Sequence, residues 1–181
     1  MQALSRVYCQ GGRYLVSVRY PGQWHNLQDF VQPDNPDVIA IFSQYGPDPW
    51  ALYDFVCKSV SYCLDWGEFF QFPSETLARE LGDCEDTSIL LTSLLKAGGI
   101  PAHVALGDYQ GYGHSWVIEN GFIYETTFTH ARIVPDPQDY CPYVYFDNQQ
   151  VFEVWPNALA HVFQIKRDEQ AKLNLIAGAI S

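Results

Sequence analysis

The stretch DCEDTSILLTSLLKAGG, residues 83–99, constrains the fold most, because it predicts a helix that has to be buried. Apolar side chains cover most of the circumference of this helix, at Ile89, Leu90, Leu91, Leu94 and Leu95. Asp83 is a suitable N-cap, and Asp86 completes a capping-box pattern. The glycine pair at the end supplies a left-handed stop. The pattern predicts a central helix with Cys84 at its first position.

Strand patterns follow this helix. Residues 102–107, AHVALG, alternate between apolar and polar, and the segments GHSWVIE (113–119) and FIYETT (122–127) flank the dipeptide Asn120-Gly121. Asn-Gly between apolar runs is the strongest short-range signal for a two-residue hairpin turn. The short segments VYF and VFEVW predict further strands. Helices that precede antiparallel strands predict an α+β fold.

Before the central helix the sequence predicts less regular structure. Residues 13–19, RYLVSVR, predict a short strand, and residues 21–50 predict a loop-rich region with one apolar piece, VIAIF. Asp48 followed by proline predicts a helix start. The segment PSETLARELG predicts a second short helix, with Ser74 as its cap and Gly82 as its stop.

The whole chain, residues 1–181, is predicted to form one domain. This length is enough to bury a core without disulfide bonds. We expect the core to span about residues 48–155, with a loop-rich extension before it and a closing helix over residues 157–177. The prolines and aspartates of residues 131–143 predict a loop.

Composition excludes several classes of function. A net charge of −11 argues against nucleic-acid binding, which requires a basic surface. The sequence has no run of about 18 apolar residues that would span a membrane, and no apolar segment typical of a secretory signal near residue 1. The odd, scattered set of five cysteines suits a reducing compartment better than a disulfide framework or zinc site. We expect a cytoplasmic protein, of cellular or phage origin, without metal or other cofactor.

Cys84 has an unusual setting for a cysteine, since it stands between Asp83 and Glu85. Most free cysteines are buried packing residues, and two flanking carboxylates disfavour a thiolate. The start of a helix acts in the opposite sense, because its unpaired N–H groups and dipole favour a thiolate. Because Asp83 and Asp86 are expected to cap the helix, the pattern predicts a Cys84 thiol with a pKa below the ordinary value of about 8.5.

The predicted hairpin brings a base and an acid together. A turn at Asn120-Gly121 pairs Trp116 with Glu125, and it pairs His114 with Thr127. Alternation then puts His114 and Glu125 on one face as diagonal neighbours, within reach of each other. A slip of one residue would put them on opposite faces. The pattern therefore predicts a histidine base oriented by a carboxylate.

These motifs, GDCED before a buried helix and then GHSWV and YETT on consecutive strands, resemble the transglutaminase-like superfamily of papain-type thiol enzymes. The resemblance covers about residues 50–127, beginning with FVCKSVSYCLDW and QFPSETLARELGDCED. It implies a papain-like α+β core, with the catalytic cysteine at the N-terminus of a buried helix packed on an antiparallel sheet. It also implies that Cys84 is the nucleophile and His114 the general base. Glu125 stands where the family usually has an aspartate.

Several functional questions stay open at this stage. The backbone N–H of Cys84 is the natural first oxyanion donor, and the side chain of Gln71 or Trp66 is a candidate for the second. We expect a peptide or protein substrate that is cleaved through an acyl-enzyme, which water or an amine then resolves. The alternative is a non-catalytic binding or assembly module that keeps the fold. The sequence predicts no oligomeric state.

Overall fold

Five α-helices are found in residues 6–65 and 68–165, the part of the chain that the computed structural model describes. They are α1 (Pro36–Tyr45), α2 (Pro49–Ser59), α3 (Pro73–Arg79), α4 (Cys84–Ala97) and α5 (Ala158–Val162). The strands in these residues are β1 (Val7–Gln10), β2 (Arg13–Val16), β3 (His25–Asn26), β4 (Ser61–Tyr62), β5 (Leu81–Gly82), β6 (Ala102–Tyr109), β7 (Tyr112–Glu119), β8 (Phe122–Tyr124), β9 (Tyr140–Phe146) and β10 (Val151–Glu153). No helix among the described residues is both long and apolar enough to cross a bilayer.

The main sheet is antiparallel and has five strands in the order β10-β9-β6-β7-β8. A smaller sheet, β1-β2-β3, and a short parallel pair, β4-β5, lie outside it. The predicted α+β class is confirmed. Because β5 ends at Gly82, the parallel pair leads directly into α4.

Helix α4 is the centre of the molecule. It begins at Cys84, as predicted, and the backbone N–H of Asp83 donates to Asp86 Oδ2 over 3.2 Å to close the capping box. Every residue from Cys84 to Leu95 is buried, because α4 packs against α1, α2 and α3 as well as against β6 and β7. A helix that is apolar on most sides needs this many neighbours.

The hairpin β7-β8 has the predicted turn. Asn120 and Gly121 have φ angles of 50° and 83°, as a type I′ turn requires. The register pairs Glu119 with Phe122 and continues to the pair Val117–Tyr124. The predicted register is confirmed, although β8 ends at Tyr124 and does not continue to residue 127.

Two predictions upstream of α4 were wrong. Residues 36–45 form helix α1, where a loop was predicted, because Asn35 accepts the Asp37 N–H and the proline at the first position fits a helix start. Helix α3 is capped at Phe72, not at Ser74. It ends at a left-handed Glu80 (φ 53°), so Gly82 belongs to β5 and does not stop the helix.

Two predictions downstream of the hairpin also need correction. The predicted loop of residues 131–143 ends early, because β9 starts at Tyr140. Proline is normally a strand breaker, but Pro142 is accommodated at an irregularity of the β6-β9 ladder. Leu106 pairs with Val144 and the next residue of β6 pairs with Pro142, so β9 contains one additional residue, a β-bulge. The closing helix predicted over residues 157–177 is shorter, because α5 ends at Val162 and residues 163–165 form a turn; the positions from residue 166 onwards lie outside the described residues.

Candidate active site

His114 and Glu125 form a buried pair at the sheet. The distance from His114 Nε2 to Glu125 Oε2 is 2.7 Å. The His114 residue is 6% exposed and Glu125 is fully buried. The hydrogen bond expected from the hairpin register is therefore present. Because Nε2 faces the carboxylate, Nδ1 is the ring nitrogen that does not contact Glu125.

The Glu125 carboxylate accepts hydrogen bonds on both oxygens. Its Oε1 accepts the backbone N–H of Thr127 at 3.1 Å and the hydroxyl of Thr127 at 2.7 Å. Its Oε2 accepts the hydroxyl of Tyr140 at 2.8 Å in addition to His114. Burial alone would raise the pKa of Glu125, but the charge of His114 and the hydrogen bonds from His114 and Thr127 hold this pKa below its ordinary value.

The backbone of Glu125 is also anchored. The Tyr53 hydroxyl, from α2, donates to the Glu125 carbonyl at 3.0 Å and is itself buried. Three aromatic rings surround the imidazole, with centroid distances of 5.7–6.3 Å, at Tyr109, Trp116 and Tyr140. Packing and hydrogen bonds therefore fix both partners of the His114–Glu125 pair.

Cys84 lies at the first position of α4, where its residue is fully buried. Its Sγ is 3.1 Å from Glu85 Oε2, and the thiol is the donor. A thiol that donates to a carboxylate is held protonated, while the helix start favours the thiolate. The two influences act in opposite senses, as the flanking residues suggested.

Hydroxyl groups connect the first turn of α4 to the residue after Glu125. Thr126 Oγ1 lies 2.8 Å from Thr87 Oγ1 and 3.2 Å from Ser88 Oγ. All three residues are buried. This link holds the helix that carries Cys84 beside the segment that carries the acid. The sequence analysis missed it, because the direction of the Thr126 side chain depends on where β8 ends.

The two candidates for a second oxyanion donor have different outcomes. The amide nitrogen of Gln71 donates to Asp86 Oδ2 at 2.6 Å and to the Leu81 carbonyl at 3.1 Å, which uses both of its hydrogens. Gln71 thus holds the start of α4, and its role as an oxyanion donor stays a prediction. Burial, together with the nearby Glu85 charge, raises the pKa of Asp86 to about 7. Trp66 lies outside the described residues.

Two groups of side chains near the start of α4 have the composition of a metal site. The ligand atoms of Asp83, Cys84 and Glu85 lie within 4.8 Å of one another, and so do those of Asp65, Asp83 and Asp86. Carboxylate oxygens suit hard cations, and a thiolate suits softer ones. The sequence analysis did not anticipate either group.

Comparison with known proteins shows which family the chain belongs to and which solved structures share its fold. The family model of the transglutaminase-like superfamily matches residues 48–142, more than half of the chain. EGTA-treated LapG of Legionella pneumophila superposes with a TM-score of 0.51 at 13% identity, covering 84% of this chain and 99% of that one. A candidate cysteine protease from Cytophaga hutchinsonii superposes with a TM-score of 0.52 at 19% identity, covering 68% of this chain and 48% of that one. At these identities the structural similarity shows the fold alone. No curated protein sequence matches the chain. The expected resemblance is confirmed: the chain belongs to the transglutaminase-like superfamily.

Proposed function

We propose that this protein is a thiol enzyme that cleaves carboxamide or peptide bonds through an acyl-enzyme. One observation carries the proposal: a buried histidine–carboxylate pair is formed by His114 on β7 and Glu125 directly after β8, and β7 packs against the helix that begins at Cys84. A nucleophile needs a base, and the base needs a group that orients it. His114 and Glu125 would supply this base and its orienting group, and Cys84 would be the nucleophile.

In the first half-reaction, His114 Nδ1 takes the thiol proton of Cys84. The resulting thiolate attacks the carbonyl carbon of the substrate, and the negative charge on the carbonyl oxygen is stabilised by the backbone N–H of Cys84. The C–N bond then breaks, and the departing amine takes the proton from His114. The product of this step is a thioester on Cys84.

In the second half-reaction, a nucleophile attacks the thioester carbon. His114 removes a proton from water, the C–S bond breaks, and the acid leaves while the thiol takes its proton back. With an amine in place of water, the same steps give a new amide. Peptide or protein substrates are the class proposed here, and hydrolysis is the favoured outcome.

Glu125 has a supporting role in both steps. It holds His114 with Nε2 protonated, so that Nδ1 is free to accept a proton, and it stabilises the imidazolium that forms. A glutamate performs this role as well as an aspartate when its carboxylate is fixed, and four donated hydrogen bonds fix this one.

One observation favours the alternative, a binding or assembly module without activity. The Cys84 thiol is fully buried and donates to Glu85 at 3.1 Å, so it has to leave that partner before it can react. A module of this kind would tolerate Cys84→Ala without loss of its biological activity.

The decisive experiment is detection of the acyl-enzyme. The protein is incubated with a mixture of peptide p-nitroanilides, and the mass of the intact protein and the release of nitroaniline are followed. We expect acylation at Cys84, none in Cys84→Ala, and normal acylation in the matched control Cys9→Ala, since Cys9 is exposed in β1. A Cys84→Ala protein that keeps full activity while folding normally would establish the binding module.

A further inference from the structure

We propose that Tyr140 is a positioning residue for the acid–base pair, with its hydroxyl fixing the Oε2 atom of Glu125 against the imidazole of His114. The inference rests on the proposed function and adds Tyr140 to the residues that support His114. The sequence analysis had placed Tyr140 in a predicted loop. Its geometric support is that two hydrogen-bond donors, His114 Nε2 at 2.7 Å and the Tyr140 hydroxyl at 2.8 Å, meet at one buried carboxylate oxygen.

The register of the sheet brings Tyr140 to this position. Tyr140 pairs with Tyr109 on β6, and His114 on β7 pairs with Gly107 of the same strand. Because Gly107 and Tyr109 are two residues apart on β6, the side chains of Tyr140 and His114 lie on one face of the sheet. Tyr140 therefore reaches the carboxylate from across the central strand.

Aromatic packing holds the phenol ring. The Tyr140 ring centroid is 4.6 Å from that of Tyr109 and 5.1 Å from that of Trp116, and the Tyr140 residue is 8% exposed. A buried phenol hydroxyl needs a hydrogen-bond partner. Here the partner is Glu125 Oε2 at 2.8 Å.

The hydroxyl can only act as a donor in this place. Burial and the charge of Glu125 raise the pKa of Tyr140, so the phenol stays protonated at every working pH. A donor to the charged form of a carboxylate stabilises that form. Tyr140 thus keeps Glu125 ionised and its Oε2 in place while His114 gains and loses a proton during the reaction.

The titratable groups that face Glu125 come from four elements. They are His114 on β7, Tyr140 on β9, Tyr109 on β6, and Tyr53 and Cys57 on α2. Among these, His114 and Tyr140 donate to the Glu125 carboxylate. Removing the Tyr140 hydroxyl should raise the pKa of Glu125, so that activity is lost at a higher pH as the solution is acidified.

The first test compares Tyr140→Phe with the matched control Tyr145→Phe, which removes a hydroxyl from a half-buried tyrosine on the same strand, β9. In Tyr140→Phe we expect kcat to fall about tenfold to hundredfold, the value of one hydrogen bond to a charged group. We expect KM to change little and the acidic limb of the pH profile to move upwards. In Tyr145→Phe, kcat and the profile should stay as in the parent protein.

The second test does not depend on activity. In ¹⁵N-labelled parent protein, we expect NMR signals from two slowly exchanging protons, the Nε2–H of His114 and the hydroxyl of Tyr140. In Tyr140→Phe the Nε2–H signal should broaden through exchange with water.

Absence of a protected Tyr140 hydroxyl proton in the parent protein would overturn the inference without any variant. Identical NMR and pH behaviour of Tyr140→Phe and Tyr145→Phe would also overturn it. Protection of both protons in a protein without activity would instead contradict the proposed function alone.

Discussion

Replacing Glu125 by glutamine should lower the stability of the fold as well as its activity. The carboxylate accepts four hydrogen bonds, two of them from N–H groups, on His114 and on the backbone of Thr127. An amide has only one oxygen. Either orientation of the glutamine therefore puts its NH₂ group opposite one of these N–H donors. The Thr127 N–H cannot accept a hydrogen bond, and His114 Nε2 could accept one only after a change of tautomer.

The magnitude follows from these bonds. Each of three retained hydrogen bonds loses its charge assistance, which is about 1 kcal/mol per bond, and one buried donor left unsatisfied costs about 1–3 kcal/mol. The lower cost of burying a neutral amide offsets about 2 kcal/mol of this sum. We expect Glu125→Gln to lower the free energy of unfolding by about 3 kcal/mol, and kcat by up to about 10⁴-fold through the disturbed tautomer.

Urea unfolding at neutral pH measures this loss, with Glu119→Gln as the matched control. Glu119 lies at the end of β7 in the same hairpin and is only half-buried. Its replacement should change stability by no more than about 0.5 kcal/mol. If Glu125→Gln loses less than about 1 kcal/mol, the view of Glu125 as an ionised carboxylate with four donors is wrong.

Three further predictions concern neighbouring groups. Iodoacetamide at about pH 6 should modify Cys84 faster than the other four cysteines, because the helix start and His114 favour its thiolate; equal modification would contradict an activated Cys84. The folded-state pKa of Asp86, about 7, lies above its unfolded value, so this carboxyl stabilises the fold at low pH and loses that contribution as pH rises through about 7. Asp86→Asn should therefore destabilise the protein more at about pH 5 than at about pH 8, measured by urea unfolding. The double variant Cys84→Ala with His114→Ala should be barely less active than either single variant, since groups that act as a unit are not additive; additive losses in the nitroanilide assay would separate their roles.

The sequence predicted best those elements whose signals are local. Helix α4 has its cap and its stop within a few residues of its ends, and the turn at Asn120-Gly121 carries its own φ preference. From that turn alone the pairing of β7 and β8 follows. The hydrogen bond between His114 and Glu125 could be predicted for the same reason.

The partners of Glu125 could not be predicted in this way. Tyr53 precedes it by 72 residues and Tyr140 follows it by 15, and neither contact has a periodic signal in the sequence. Simple alternation along β9, counted back from Val144, would put Tyr140 on the opposite face of the sheet from the one that it occupies. Long-range packing decides these contacts.

The bulge in β9 has a consequence for aligning this chain with its relatives. Tyr143 is the additional residue, and a strand without it would keep Tyr140 opposite Tyr109 in a regular ladder. The strand therefore absorbs a one-residue insertion without moving the hydroxyl from its acceptor. An alignment with a relative whose ladder is regular needs a gap at position 143. Without that gap, Cys141 of this chain would be aligned with the residue of the relative that lies opposite the equivalent of Tyr109. A tyrosine equivalent to Tyr140 would then not be recognised in that relative.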